Sequence, residues 1–191
     1  MWRIAGAGAL VLLLVIVFAY NNLWRRPLAC QLAANGDTAQ LARLDHAQLR
    51  QTDPLGNTAL MFAAASDQKP AIALLLARGA NPHAVNRNGA TALMLAAAAG
   101  ASDIIPLLPT SRPAIDIRNS DGVSALMSAA WNGQSDSVAL LLSLGANPCL
   151  RDRQGKTAED DAIARGQHLS QKILHDFSRQ TGIVCQGEAH E

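Results

Sequence analysis

Side chains that could do catalytic chemistry are few in this chain, and their spacing forms no recognisable catalytic set. The five histidines are scattered, and no pattern brings one beside a serine, a cysteine or a carboxylate. The densest group is the triplet Glu159-Asp160-Asp161, whose carboxylates could hold a metal or transfer protons. Because adjacent residues on a helix point in different directions, we expect instead a solvated acidic first turn that interacts favourably with the helix dipole. We predict no catalytic residue, no metal site and no cofactor, and hence no enzyme.

The composition predicts a folded protein without a nucleic-acid function. Hydrophobic residues make up 49% of the 191 residues and charged residues 16%, which is too apolar for a disordered chain. The formal net charge of +1 provides no strongly basic surface for phosphate contacts. We predict that nucleic acid is not a partner, and no feature of the sequence points to a small-molecule substrate.

The N-terminus carries an uncharged, apolar run of 17 residues, Ile4–Tyr20. Extended to Leu23, the run reaches the roughly 20 residues that cross a bilayer as a helix. Trp2 and Trp24 flank it, and aromatic rings are common in the headgroup layers of a membrane. Residues 1–24 are therefore predicted to be a transmembrane anchor or uncleaved signal. A cleaved signal peptide is the alternative that stays open.

The charges that flank the apolar run nearly balance, so the positive-inside rule does not decide its orientation. Arg3 lies before the run, and Arg25 and Arg26 lie after it. We favour export of the rest of the chain, which predicts a single-pass protein of the inner (cell) membrane with a periplasmic domain. A cytoplasmic orientation stays open.

A 33-residue repeat organises the rest of the chain. The strings TALMFAA, TALMLAA and SALMSAA begin at Thr58, Thr91 and Ser124, and a glycine stands two residues before each of them and before Thr157. Self-similarity at this period indicates a stacked array. The rows are predicted at residues 27–57, 58–90, 91–123 and 124–156, with a cap at 157–178 and a tail at 179–191.

Each row is predicted to form two helices. The first is alanine-rich, begins at a Thr or Ser that caps free N–H groups, and allows close packing. The second carries leucine at helical spacing, and in two rows it is followed by a glycine suited to the left-handed conformation, Gly79 or Gly145. The third row has Pro106 early in its second helix and Arg112 in the glycine column. We therefore expect residues 107–115 to follow a different path.

These rows resemble ankyrin repeats, with Thr-Ala-Leu-Met where that family commonly has Thr-Pro-Leu-His. The resemblance covers about residues 27–178. It implies an all-α solenoid of helix-turn-helix repeats with β-turn fingers, here preceded by one N-terminal transmembrane helix. Met61, Met94 and Met127 replace the usual histidine, which we expect to remove a polar hydrogen-bonding side chain from the interior.

The resemblance also implies a binding surface for a protein partner, the concave face lined by the fingers and by the ends of the first helices. Trp131 is the large aromatic residue at these positions, and we interpret it as an exposed anchor. The alternative is that its ring covers apolar surface of the neighbouring fingers. Carried over position by position, the predicted partner-binding residues are Ser66, Arg87, Asn88, Ser120, Asp121, Val123, Trp131, Asn132, Arg153, Gln154, Lys156 and Arg165.

The three cysteines receive different interpretations. Cys30 falls in the column of the repeated methionines and is predicted to be a buried free thiol. Cys149 lies in the finger after the helices of the fourth row and Cys185 follows the last helix, so repeats stacked about 10 Å apart bring these two close enough to form a disulfide. Cys30 lies several repeats away and is predicted to pair with neither.

Together these patterns predict a membrane-tethered interaction module of a bacterial type that binds a protein on its concave face. We expect it to inhibit or protect an envelope enzyme, as an immunity-type or accessory protein. The alternative is a structural subunit of a membrane complex, in which the transmembrane helix makes the assembly contacts.

Overall fold

The computed structural model describes residues 26–112 and 114–185. The predicted anchor at residues 1–24 lies outside this part of the chain, as do the last residues of the predicted tail. Between residues 26 and 185, no described helix has the length and apolar character needed to cross a bilayer.

The described residues form helices and turns without a strand, which confirms the all-helical prediction for this part of the chain. In chain order the helices are α1 (Leu28–Asn35), α2 (Thr38–Leu41), α3 (His46–Leu49), α4 (Ala59–Ala65), α5 (Lys69–Ala77), α6 (Ala92–Ala99), α7 (Ala125–Trp131), α8 (Ser135–Ser143), α9 (Ala158–Ala164) and α10 (His168–Thr181). Two short 3-10 turns, at Ile105–Leu107 and Ala114–Asp116, lie between α6 and α7.

The first helices of the rows, α1, α4, α6, α7 and α9, pack each against the next. Ala63, Ala96 and Ala129 are completely buried between them. Side chains this small allow neighbouring helix axes to approach closely. The buried residues of all five rows form one continuous hydrophobic cluster, so each row is stabilised by its neighbours rather than by a core of its own.

Hydroxyl caps fix where the first helices begin, as the sequence predicted. The side chains of Thr58, Thr91, Ser124 and Thr157 each accept a hydrogen bond from the backbone N–H three residues later. In two rows the methionine that stands in place of a polar side chain still lies beside a backbone N–H group. The backbone N–H groups of Thr58 and Ser124 lie 3.4 Å from the sulfurs of Met61 and Met127, close enough to donate to them. The thioether thus replaces the polar side chain of a capping box as a weak acceptor.

The third row lacks a second α-helix, in agreement with the different path predicted there. Its 3-10 turns still bury Ile104, Ile105 and Ile115, so the segment is docked on the core. The side chain of Arg112 donates to the carbonyl oxygen of Gly145 from Nε at 3.2 Å and from Nη2 at 2.8 Å. A side chain of one row therefore holds the end of the second helix in the next.

The first row also differs from the repeat pattern, because two short helices, α2 and α3, stand where one second helix was predicted. Arg78 compensates for this irregularity from the following row. Its guanidinium donates to the carbonyl oxygens of Ala42 and Leu44 at 2.9 and 2.8 Å.

Cys30 is fully buried in this row, and burial raises the pKa of its thiol to about 12.

The array ends three residues later than the predicted cap at 157–178, because α10 continues to Thr181 before Gly182 turns the chain at φ 69°. Beyond that turn, Cys185 forms a disulfide with Cys149, and the two Cα atoms are 4.9 Å apart. The cross-link joins the end of the described chain to the turn that follows α8.

Candidate partner-binding surface

The turn that precedes each first helix has the same geometry in four rows. We call this turn a finger. At the start of each finger an Asp or Asn side-chain oxygen accepts hydrogen bonds from the backbone N–H groups two and four residues later, at 2.8–3.0 Å. The four residues that do so are Asp53, Asn86, Asn119 and Asp152. Such side chains stabilise turns by replacing backbone partners. This column was not predicted, although its 33-residue spacing is visible in the sequence.

Successive fingers are also joined to each other through their backbones. One hydrogen bond of 2.8–2.9 Å joins each finger to the previous one, from Arg87 N to Leu55 O, from Ser120 N to Asn88 O and from Arg153 N to Asp121 O. Gly89 shows why glycine recurs beside these contacts. It has a φ of 73°, and a β-carbon there would lie 3.0 Å from the backbone nitrogen of Ser120. The finger backbones are thus engaged with one another, and most finger-tip side chains are left exposed.

The fingers lie beside one side of the first helices. Cys30 Sγ in α1 lies 3.8 Å from the carbonyl oxygen of Asn57, which is in a finger. In α9, the charges of Asp152 and Lys156, both in a finger, influence the pKa of the Asp161 carboxyl group. Asp161 and Arg165 are four residues apart and therefore share a helix face. We call this surface, made by the finger tips and the adjoining ends of the first helices, the finger surface.

The predicted partner-binding residues fall on the finger surface, and most of them are exposed. Val123 and Lys156 are half-buried, whereas the other ten are exposed: Ser66, Arg87, Asn88, Ser120, Asp121, Trp131, Asn132, Arg153, Gln154 and Arg165.

Trp131, at the end of α7, is 40% exposed. The guanidinium carbon of Arg165, from the next row, lies 4.6 Å from the ring centroid, which is cation–π stacking. At the other end of the surface Arg26 stacks over Phe62 at 4.8 Å. One face of the indole is therefore paired with a cation, while a large part of the ring still faces solvent.

The acidic triplet Glu159-Asp160-Asp161 lies in the first turn of α9, as expected, but only part of it is solvated: Asp160 is exposed and Glu159 is half-buried. Asp161 is only 5% exposed, and burial raises the pKa of its carboxyl group to about 6. Asp160 accepts hydrogen bonds from the N–H and hydroxyl of Thr157, both at 2.8 Å, and so completes the capping box of α9. The periodicity of the helix turns Asp161 toward the finger, where the equivalent residues of other rows are Phe62, Leu95 and Ser128.

A pocket of about 570 Å³ opens at the C-terminal end of the array, between α9, α10 and the cross-linked segment after α10. Its lining includes Arg151, Glu159, His175 and Arg179. Glu159 Oε1 lies 3.4 Å from His175 Nδ1. Within residues 26–112 and 114–185, no three His, Cys, Asp or Glu residues are grouped so that they could hold a metal ion.

Comparison with known protein families identifies the repeats. Residues 27–118 and 60–152 match the family model described as ankyrin repeats, three copies, so that the matched segments together cover about two thirds of the chain. No curated protein matches this chain.

Proposed function

The chain belongs to the ankyrin-repeat family, a family of protein–protein interaction modules, and from this premise we propose that its finger surface holds a protein partner. In ankyrin arrays this surface is the concave face. Trp131 is the centre of the proposed contact, and the predicted finger residues surround it.

The exposure of Trp131 is the observation that carries this proposal. Tryptophan is enriched among the residues that dominate binding energy at protein interfaces. Trp131 is 40% exposed, and a partner that covers its ring removes apolar area from solvent. Arg165 stacks on the ring, which restricts the ring before a partner binds and so reduces the side-chain entropy lost on binding.

We further propose that residues 1–24 anchor the array in the inner (cell) membrane as a single-pass, bacterial-type anchor, with the array on the periplasmic side. The Cys149–Cys185 disulfide supports this location, because disulfides persist in oxidising compartments. The tethered array would then inhibit or protect an envelope enzyme, as an immunity-type or accessory protein. Thiol trapping on intact cells tests the location: we expect one free thiol per chain, and three free thiols would contradict it.

A structural subunit of a membrane complex is the second candidate, favoured by the apolar run Ile4–Tyr20. Exchanging residues 1–24 for a cleavable signal separates the two proposals. An interaction module keeps its partner after the anchor is lost, whereas a subunit assembled through the transmembrane helix does not.

Site-specific photo-cross-linking in living cells tests the binding surface itself. A photoreactive residue is placed at Ser120 or Gln154 on the finger surface. Matched exposed controls carry it at Ser143 in α8 or Lys172 in α10, which are second helices of their rows. We expect one discrete protein adduct from the finger positions, lost on substitution of Trp131 by alanine. Adducts that form equally at all four positions, or only at the outer ones, would rule out the finger surface.

A further inference from the structure

Four arginines of the array bind backbone atoms with their side chains. Arg78, Arg112, Arg118 and Arg151 each donate to at least one backbone carbonyl oxygen elsewhere in the array. Their donors are used to hold the rows together. These four positions are structural, and none of them is among the predicted partner-binding residues.

The cations of the finger surface behave differently. Among the described residues, no hydrogen bond or ion pair engages the side chains of Arg87, Arg153, Lys156 and Arg165, and only Arg165 has a stacking partner, Trp131. The donor groups of an unpaired arginine or lysine remain free for an external acceptor.

One of these cations contacts Trp131 and two belong to the finger before α9. Arg165 stacks on Trp131 at 4.6 Å. The backbone N–H of Arg153 donates to the carbonyl oxygen of Asp121, which joins the finger before α9, the helix that leads to Arg165, to the finger before α7, the helix of Trp131. Arg153 is in the same finger as Lys156.

Most carboxylates near these cations are buried or have partners within the array. Asp160 accepts hydrogen bonds from Thr157, and Glu159 lies beside His175. Asp161 is buried, and Asp152 is half-buried, with Oδ1 accepting two backbone N–H groups. Asp121 is the exposed carboxylate of the neighbouring finger. The charge that this part of the surface presents to a partner is therefore mainly positive.

We propose that the protein segment bound beside Trp131 is acidic, with Asp or Glu side chains flanking an apolar side chain that packs on the exposed part of the indole. This inference rests on the proposed function and adds the chemistry of the partner. Stacking on the indole leaves the guanidinium edge of Arg165 free to bind a carboxylate with two parallel hydrogen bonds. Arg153 and Lys156 supply the attraction for further carboxylates.

Selection from a phage-displayed library of random short peptides tests this chemistry directly. The target is the full chain in a neutral detergent, with no partner needed. We expect the selected peptides to be rich in Asp and Glu around a hydrophobic residue. The charge-reversed variant Arg153→Glu with Arg165→Glu should bind these peptides at least about tenfold more weakly. Replacing their acidic residues by amides should have a similar effect.

A matched control reverses two exposed cations away from the finger surface, Lys69→Glu with Lys172→Glu. It changes the net charge equally, and the affinity should change less than about twofold, because distant surface charges are screened. Circular dichroism confirms that both variants remain folded.

The outcomes separate this inference from the proposed function. Selected peptides that are not acidic but depend on Trp131 would overturn the acidic partner and leave the finger surface as the binding site. Peptides that bind without regard to Trp131 or the finger cations would contradict both. Displacement of the acidic peptides by single-stranded DNA of equal charge, at equal concentration, would show a general polyanion site and also overturn the inference.

Discussion

Trp131 combines two properties that are uncommon together, a stacked cation on one face and exposure on the rest of the ring. Trp131→Ala should weaken partner binding by about 2 kcal/mol or more, as the loss of an aromatic anchor does, and leave the helical signal unchanged.

In a fragment of residues 27–191, Trp131 is the sole tryptophan. We expect its fluorescence to be red-shifted and to move to the blue when a selected peptide or the partner binds. A blue emission in the free fragment, with a lower melting temperature for Trp131→Ala, would identify a core residue instead.

Asp161 is the residue whose charge should make stability depend on pH. Its pKa of about 6 in the folded state is above the ordinary value of 3.8, so the folded state binds the proton more tightly than the unfolded state. The resulting stabilisation is complete below about pH 4 and is lost as the pH rises through about 6. Asp161→Asn should therefore unfold at higher urea than the wild type above about pH 7, by roughly 1 kcal/mol, with a smaller gain near pH 4. An equal difference at both pH values would contradict this account.

At the scale of the element, the ends of the first helices contain one strained residue. Gly36, Gly100, Gly133 and Gly166 end four of these helices in the left-handed conformation, and in α4 the corresponding residue is Asp67, with φ 55°. Asp67→Gly should stabilise the array by about 0.5–1 kcal/mol, because glycine has no β-carbon to strain this backbone. Urea unfolding measures the gain. Asp67→Ala serves as the control and should show none, since alanine retains the β-carbon.

The second segment of the third row is the element that departs most from the repeat. Its 3-10 turns replace a helix such as α8, so fewer backbone N–H groups are held by a continuous ladder. We expect amides of residues 105–116 to exchange with deuterium at least about tenfold faster than those of α8 in native conditions, when measured by mass spectrometry. Equal protection of the two segments would mean that burial of Ile105 and Ile115 alone prevents local opening.

At the scale of the molecule, the five rows share one hydrophobic cluster, so we expect the fragment of residues 27–191 to unfold in a single transition. The disulfide closes a loop across 36 residues and should contribute about 3–4 kcal/mol to the free energy of unfolding. Urea unfolding with and without reductant measures this contribution. The variant Cys149→Ser with Cys185→Ser is the control: it should match the reduced protein and not respond to reductant. Two separate transitions would contradict a single array.

The repeated pattern made the array predictable, whereas the departures from it were predictable only in part. Pro106 and Arg112 showed that the third row differs, because neither fits a regular second helix that ends in a left-handed residue. The hydrogen-bond acceptor of the Arg112 side chain, the carbonyl oxygen of Gly145, could not be predicted. A long flexible side chain has many possible acceptors, and only the packed neighbour selects one.

The sequence by itself determined the repeat, its two-helix rows and the capped starts of the first helices, because local spacing and residue type decide these. Only the tertiary structure decided which charged side chains are buried and which partners they bind. Asp161 has the same local sequence signal as a solvated first-turn carboxylate, yet it is buried in the folded array, which raises the pKa of its carboxyl group. The repeat position of Arg165 predicted an exposed binding residue, but the sequence did not predict that Arg165 stacks on an indole ring or that Arg78 donates to backbone carbonyls. These differences arise between rows, where residues about 33 positions apart come into contact, and the free energy of a charged side chain depends on that surrounding rather than on its neighbours in the chain.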